Sequence, residues 1–386
     1  MKKNDFATFI VYVGMMAIAL LVGLLVLRPV IESDSWKSSA KILIVLGCIG
    51  AGVLINALLL EVGHLLGAKM GHYKVYSWIV LGVGFRRTKE GKMKAAISGF
   101  NGLTGETKIV PNDPEKSTTS GMTLIPLVLY LVEVIVGVVL IGISDRRLNV
   151  NADYSAPWLK VFAITMMSVG GIIYLYNFFP ANLDVITDGY RMILLSKPIN
   201  REAYNRHLIN EYNGVMGIPL KDFPVYDDVT DYTAAVNMDK VYSELAKGGY
   251  GQAILIVQKT LETEERLSEA TKNEAMAMKL SIVLLTTKRE AGLTYYDNIE
   301  NEDRKYLATL PDGPALRAYL LVAGVLEGSE AETNYALAKA ARIMRKTPEA
   351  RKEVELKLLG YTIQRIKTLH PNWNLVNWEN PKAKAE

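Results

Sequence analysis

Residues 60–64 read Leu60-Glu61-Val62-Gly63-His64. A glutamate three residues before a histidine is half of the H-E-x-x-H pattern. In that pattern two histidines four residues apart share one helix face and offer nitrogens to one zinc, while the glutamate polarises the zinc-bound water and takes its proton. Here Glu61 stands at the general-base position and His64 at the second ligand position. The first ligand position holds Leu60, which has no lone pair to give. Three readings are open on these residues alone: a metal-dependent hydrolase, a chain that has lost its metal, or an apolar helix that carries a Glu and a His.

Other groups able to do chemistry are sparse. Cys48 is the single cysteine, which excludes intrachain disulfides and a thiolate zinc cluster. His207 and His370 have no neighbouring His or Cys and read as surface or cap residues. Glu133 lies in the middle of an apolar run, where a protonated carboxyl paired inside a helix bundle is the expected state. Pro126 in the same run predicts a kink.

The elements that hold Glu61 and His64 are set by hydropathy. Half of the 386 residues are hydrophobic, and the mean hydropathy is +0.14. Crossing a bilayer takes about 20 mostly apolar residues. Phe6–Leu27, Ile42–Leu60, Ser117–Ser144 and Val161–Leu183 are long enough, and Glu133 is the only charged residue among them. After Lys197 the pattern turns charged and amphipathic. The expectation is a polytopic α-helical membrane protein with four spans, followed by a soluble half. The first run, longer than a secretory h-region and without a clear cleavage site, reads as a retained anchor.

Charge gives an orientation. Residues 1–200 hold 19 Lys and Arg against 13 Asp and Glu, and residues 201–386 hold 25 against 27. Nine of the basic residues lie between Lys69 and Lys116. The positive-inside rule places that connection in the cytoplasm, and with it the N-terminus and the C-terminal half. Glu61 and His64 then arrive near the cytoplasmic end of the second span. The near-neutral soluble half has no basic stripe, which argues against nucleic-acid binding. Within the basic connection, Lys74–Leu81, Met93–Ser98 and Thr107–Val110 read as short strands punctuated by glycines, a small β-sheet at the membrane face. A sheet edge there could add an extended substrate as a further strand, or the sheet could serve only as a lid.

With these residues assembled, the chain resembles the site-2 protease family of intramembrane zinc metalloproteases (peptidase family M50). That family carries H-E-x-G-H-L-x-x-A-[KR] at the cytoplasmic end of one span, and N-x-x-P followed by Asp-Gly at the end of a later one. The corresponding residues are Glu61-Val62-Gly63-His64-Leu65 with Ala68-Lys69, then Asn177-Phe178-Phe179-Pro180 and Asp188-Gly189. The resemblance covers about residues 40–195, and the order and direction of the three core spans match as well. It implies Glu61 as general base, His64 and Asp188 as zinc ligands, Asn177 lining the substrate site, and hydrolysis of a peptide bond in or near a transmembrane segment. The chain departs from the pattern at Leu60, which leaves a ligand position vacant, and in the longer spacing from Pro180 to Asp188. Asp184 and His72 are the fallback ligands, although His72 lies beyond Gly71 and would have to fold back. Zinc is the implied cofactor and a membrane-embedded protein or peptide the implied substrate. The alternative is a pseudoprotease, a non-catalytic membrane binding or scaffold protein.

The domains expected are therefore 1–40, an anchor span and short external loop, 41–198, a site-2-protease-like core, and 199–386, a cytoplasmic helical domain. The core has spans at about 42–66, 118–144 and 158–183, and a β-region at about 73–112. In the helical domain Gly248-Gly249-Tyr250-Gly251-Gln252-Ala253 has the spacing of a tetratricopeptide helix–turn–helix corner, with a weaker echo at Gly328 and Tyr335-Ala336. Stacked helical hairpins of that kind present a groove to a protein partner.

Overall fold

The computed structural model describes residues 3–28, 32, 38–98, 104–150, 157–180, 186–262 and 267–379. They form two compact units, Met1–Arg201 and Glu202–Glu386. Asp184 and the tail from Asn380 lie outside the described residues.

The first unit contains four helices long and apolar enough to cross a membrane, the build of a membrane protein. They are α1 (Lys3–Leu21, continued by a wider turn over Val22–Leu27), α2 (Ser38–Met70), α3 (Ser120–Val150) and α4 (Pro157–Phe178). Their outer faces are apolar: Leu43 is 71% exposed and Ile135 63%, as a lipid-facing surface requires. Three boundaries differ from the sequence expectation. α2 is 33 residues long and runs to Met70, past the expected end near residue 66, with Glu61 and His64 near that end. α3 runs on to Val150, and Pro126 sits within its unbroken course. α4 stops at Phe178, because the residue before Pro180 is pushed out of the helical region.

α2 and α3 touch almost backbone to backbone. Gly63 and Gly67 on α2 and Gly71 just past its end recur every fourth residue. A Cβ on Gly63 would come within 2.7 Å of Pro126, one on Gly67 within 2.3 Å of the Gly121 carbonyl oxygen, and one on Gly71 within 2.1 Å of the Thr118 carbonyl oxygen. Small residues at this spacing let membrane helices pack by van der Waals contact where no hydrophobic driving force exists. Pro126 is thus a packing surface for Gly63.

After α2, Gly71 and His72 turn the chain, His72 with φ 63°, into an antiparallel sheet of order β3-β2-β1-β4. Its strands are β1 (Tyr73–Val80), β2 (Val83–Arg87), β3 (Met93–Ile97) and β4 (Gly105–Pro111). The sequence reading found three of the four and missed β2, whose Gly84 and two arginines hide its alternation. β1 and β2 are joined by the two-residue turn Leu81-Gly82, with φ of 47° and 85°, as a type I′ hairpin requires. Leu81 in the left-handed region is strained, and its N–H is tied to the Thr104 carbonyl at 2.7 Å. β1 is central in the sheet, with both its edges paired. Among the described residues the edges belong to β3 and β4.

α5 (Asp188–Leu195) follows α4, and α6 (Pro198–Met216) leads into the second unit. There the described elements are all helical: α7 (Asp231–Ala246), α8 (Tyr250–Leu261), α9 (Glu269–Thr286), α10 (Arg289–Asp297), α11 (Asn301–Thr309), α12 (Gly313–Leu321, continued by Val322–Glu327), α13 (Glu330–Lys346) and α14 (Glu349–Leu369). Thr230, Ser268, Asp312 and Ser329 cap α7, α9, α12 and α13 with side-chain oxygens. Gly248 and Gly328 turn the corners before α8 and α13 with φ of +79° and +66°.

The core of this unit holds an ion pair with no exposure on either side chain. Arg317 donates from Nε to Glu355 Oε2 (2.8 Å), from Nη2 to Glu355 Oε1 (3.0 Å) and from Nη1 to Ser281 Oγ (2.8 Å), while the Tyr242 hydroxyl donates to Glu355 Oε1 (2.6 Å). His370 caps α14 and stacks on Trp373. His207 is not a free surface residue: its Nδ1 pairs with Asp239 at 2.9 Å.

Two outcomes are expected. Arg317→Met strands a buried carboxylate and should cost about 3–5 kcal/mol, while Arg317→Met with Glu355→Leu should recover most of that. Thermal unfolding of the two variants checks it, and equal losses would show that the charges do not act as a pair. Burial pushes the His207 imidazole down, but the Asp239 charge and hydrogen bond outweigh it and raise the group above its usual value. A raised histidine stabilises the fold fully below its unfolded value, near pH 6.5, and the gain fades as pH rises through the folded value. His207→Gln should therefore flatten a fall in stability above about pH 6.5, and an unchanged pH profile would refute the assignment.

Candidate active site in the membrane unit

The site is built on α2. Glu61 is 2% exposed, and its carboxylate is held from the sheet side. Thr104 Oγ1 donates to Oε1 at 3.1 Å, and Thr107 Oγ1 on β4 donates to Oε2 at 2.7 Å. The Trp78 indole N–H on β1 donates to the Glu61 carbonyl at 3.1 Å, fixing the sheet against the helix backbone. One turn on, His64 Nδ1 lies 3.4 Å from Glu61 Oε2 and Nε2 lies 3.0 Å from Asp188 Oδ2. Both ring nitrogens face carboxylate oxygens, so both are satisfied as donors only in the imidazolium form.

Asp188 reaches His64 from 124 residues away. It is the first residue of α5, a separate helix, and not the last turn of the fourth span. Thr187 sets it: its hydroxyl donates to the Phe179 carbonyl at 2.6 Å and accepts from the Tyr190 N–H at 3.2 Å. Gly189 is needed for the same return, because a Cβ there would stand 2.2 Å from the Phe178 carbonyl oxygen. In the paired Asp-Gly, Asp188 makes the contact to His64 and Gly189 gives the clearance. Burial pushes the Asp188 carboxyl up, but the His64 hydrogen bond, with the charges of His64 and Arg191, holds it below its usual value. Arg191 Nη1 donates to Oδ1 at 3.3 Å.

The remaining sequence candidates fall as follows. Asn177 is in the last turn of α4, and its Nδ2 is buried with no hydrogen-bond partner among the described residues. His72 is exposed at the end of α2 and does not join Glu61, His64 and Asp188. Leu60 is 1% exposed and packs against Ile173 and Tyr174 of α4. Thr104 and Thr107 were missed by sequence reasoning. They lie 43 and 46 residues from Glu61, and no spacing rule connects a helix to a strand that returns over it.

A catalytic zinc takes three protein ligands. The donors here are His64 and Asp188, both Glu61 oxygens are engaged by threonines, and the third position is filled by packed aliphatic carbon. Among the described residues no three His, Cys, Asp or Glu side chains are arranged to hold a metal ion. The described residues do not by themselves supply a three-ligand zinc centre.

No protein-family model, curated protein or solved structure matches this chain.

Because Thr107 supplies a hydrogen bond to a buried carboxylate, Thr107→Val should lower stability by about 1.5–3 kcal/mol by thermal unfolding in detergent. A loss below about 0.5 kcal/mol would mean that Glu61 is neutral or finds another donor.

Proposed function

We propose that this chain is a membrane protein of the site-2 protease type whose hydrolytic centre stands one zinc ligand short. In this form it holds a membrane-embedded protein segment and does not cut it. The observation that carries the reading is Leu60, 1% exposed in the first ligand position beside an otherwise assembled Glu61, His64 and Asp188. The segment-binding part rests on two features. Asn177 Nδ2, at the end of α4, is a buried donor with no partner among the described residues. β4, which carries Thr107, is a sheet edge beside Glu61, and an extended segment can add to such an edge through main-chain hydrogen bonds. The basic residues from Lys69 to Lys116 support a cytoplasmic sheet in the cell membrane, with the N-terminus and the helical unit on the same side. The glycine corners at Gly248 and Gly328 support a tetratricopeptide-like helical domain with a protein partner.

The second reading is zinc-dependent hydrolysis with Asp184 as the missing ligand. Retention of Glu61, His64 and Asp188 favours it, since ionisable groups in a membrane helix carry an energetic cost.

Zinc per chain, measured by mass spectrometry on protein purified in detergent, separates the two. The expected result is near zero for the chain as it stands and near one for Leu60→His. Near one in the unaltered chain would overturn the non-cutting reading and make Asp184→Ala the next variant. Zinc in neither would remove His64 and Asp188 as ligands.

A further inference from the structure

The second unit carries a groove of about 660 Å³, bordered by α14, the C-terminal end of α9 and the Gly248 corner before α8. On α14 its wall includes Lys357, Tyr361, Arg365 and Thr368, spaced so that they share one helix face. Leu285 of α9 and Tyr250 of α8 add apolar surface.

Charge is the first mark of a binding surface. Lys357 and Arg365 are cationic, and none of the lining residues is acidic. Elsewhere in this unit Lys240, Lys272, Arg317 and Arg351 each meet a carboxylate, at 2.5 to 3.7 Å. Lys357 is exposed and lies 6.0 Å from the centre of the Tyr361 ring, with no carboxylate paired to it among the described residues.

Arg365 is the second mark. Its Nη1 donates to the Leu285 carbonyl at 3.1 Å and its Nη2 to the Thr287 carbonyl at 2.7 Å, so the end of α9 holds the guanidinium in place. Its Nε is buried without an acceptor among the described residues. A guanidinium has five N–H donors, and donors left over on a group already fixed in position bind a ligand at a reduced entropic cost.

A carboxylate is the group that Arg and Lys together recognise, while tyrosine rings and Leu285 suit an aliphatic or aromatic neighbour. Length separates a small acid from a chain. From Lys357 to Thr368 the wall runs about 16 Å along the helix, the span of about five residues of extended peptide.

We propose that this groove binds an extended peptide segment of a partner protein. A carboxylate side chain of the segment lies against Lys357 and Arg365, and an apolar side chain against Tyr250 and Tyr361. The proposal rests on the reading of the helical unit as a partner-binding domain and is independent of the site in the membrane unit.

The test is selection of random hexapeptides displayed on phage against the full chain in detergent, then fluorescence anisotropy with the selected peptides as labelled probes. The expected sequences place Asp or Glu beside an aliphatic or aromatic residue, and their affinity falls as salt is raised. Lys357→Glu and Tyr361→Ala should each weaken binding about 10-fold or more. Lys357 makes no ion pair, so the thermal midpoint of Lys357→Glu should match that of the unaltered chain. Arg365 is left in place because it also closes α9. Selected peptides without an acidic preference, or with affinity undiminished by Lys357→Glu, overturn the groove and leave the partner-binding reading standing. Selection of no peptide overturns both. Competition by N-acetylglutamate as strong as by the hexapeptide would make the occupant a small acid, and self-association lost in Lys357→Glu would make it a second copy. Either result overturns the peptide assignment.

Discussion

A carboxylate buried on a membrane-type helix must find hydrogen-bond donors from the protein itself, and the arrangement of the first unit follows from where Glu61 finds them. The donors are Thr104 and Thr107, which arrive only after the chain has left α2, formed a hairpin and returned along β4. That path demands the tight turn at Leu81-Gly82, a central β1 whose Trp78 anchors to the Glu61 carbonyl, and a fourth strand antiparallel to it. Without the sheet, Glu61 would lose both threonine donors and keep only His64 Nδ1 at 3.4 Å, leaving a buried carboxylate under-satisfied.

Clearance is the second requirement, and glycine provides it at each crossing. Gly63, Gly67 and Gly71 let α2 and α3 meet, Gly170 brings α4 against Asn56, and Gly189 lets α5 fold back on the end of α4. These contacts fix α4 and α5 closely enough for Asp188 to meet His64 at 3.0 Å. Close packing also explains why the identity of one residue matters. Leu60 is buried against Ile173 and Tyr174, so a change of size or polarity at that position is felt directly by α4.

The second unit solves a different problem. Its helices are capped by local side chains and turned by glycines, which the sequence displays openly, but its interior is organised around the Arg317–Glu355 pair. Neither residue stands out in the sequence, since a charge in an amphipathic helix normally marks the solvent face. Only the convergence of α7, α9, α12 and α14 shows that these two face inward and satisfy each other.

The sequence by itself determined the four apolar helices, the presence of a small sheet after α2, the helical second half, and the identity of Glu61, His64, Leu60 and Asp188 as the residues to watch. Hydropathy and short motifs are local properties, legible residue by residue. The tertiary structure decided the pairings: that β1 is central and β4 lies beside the site, that Asp188 opens a new helix, that Thr104 and Thr107 hold Glu61, and that His72 stays outside. Those outcomes depend on pairings across the chain, 25 to 38 positions for β1 with β4, 43 and 46 for Glu61 with its threonines and 124 for His64 with Asp188, set by steric clearance and by the need to satisfy each buried polar atom, and a linear pattern encodes neither.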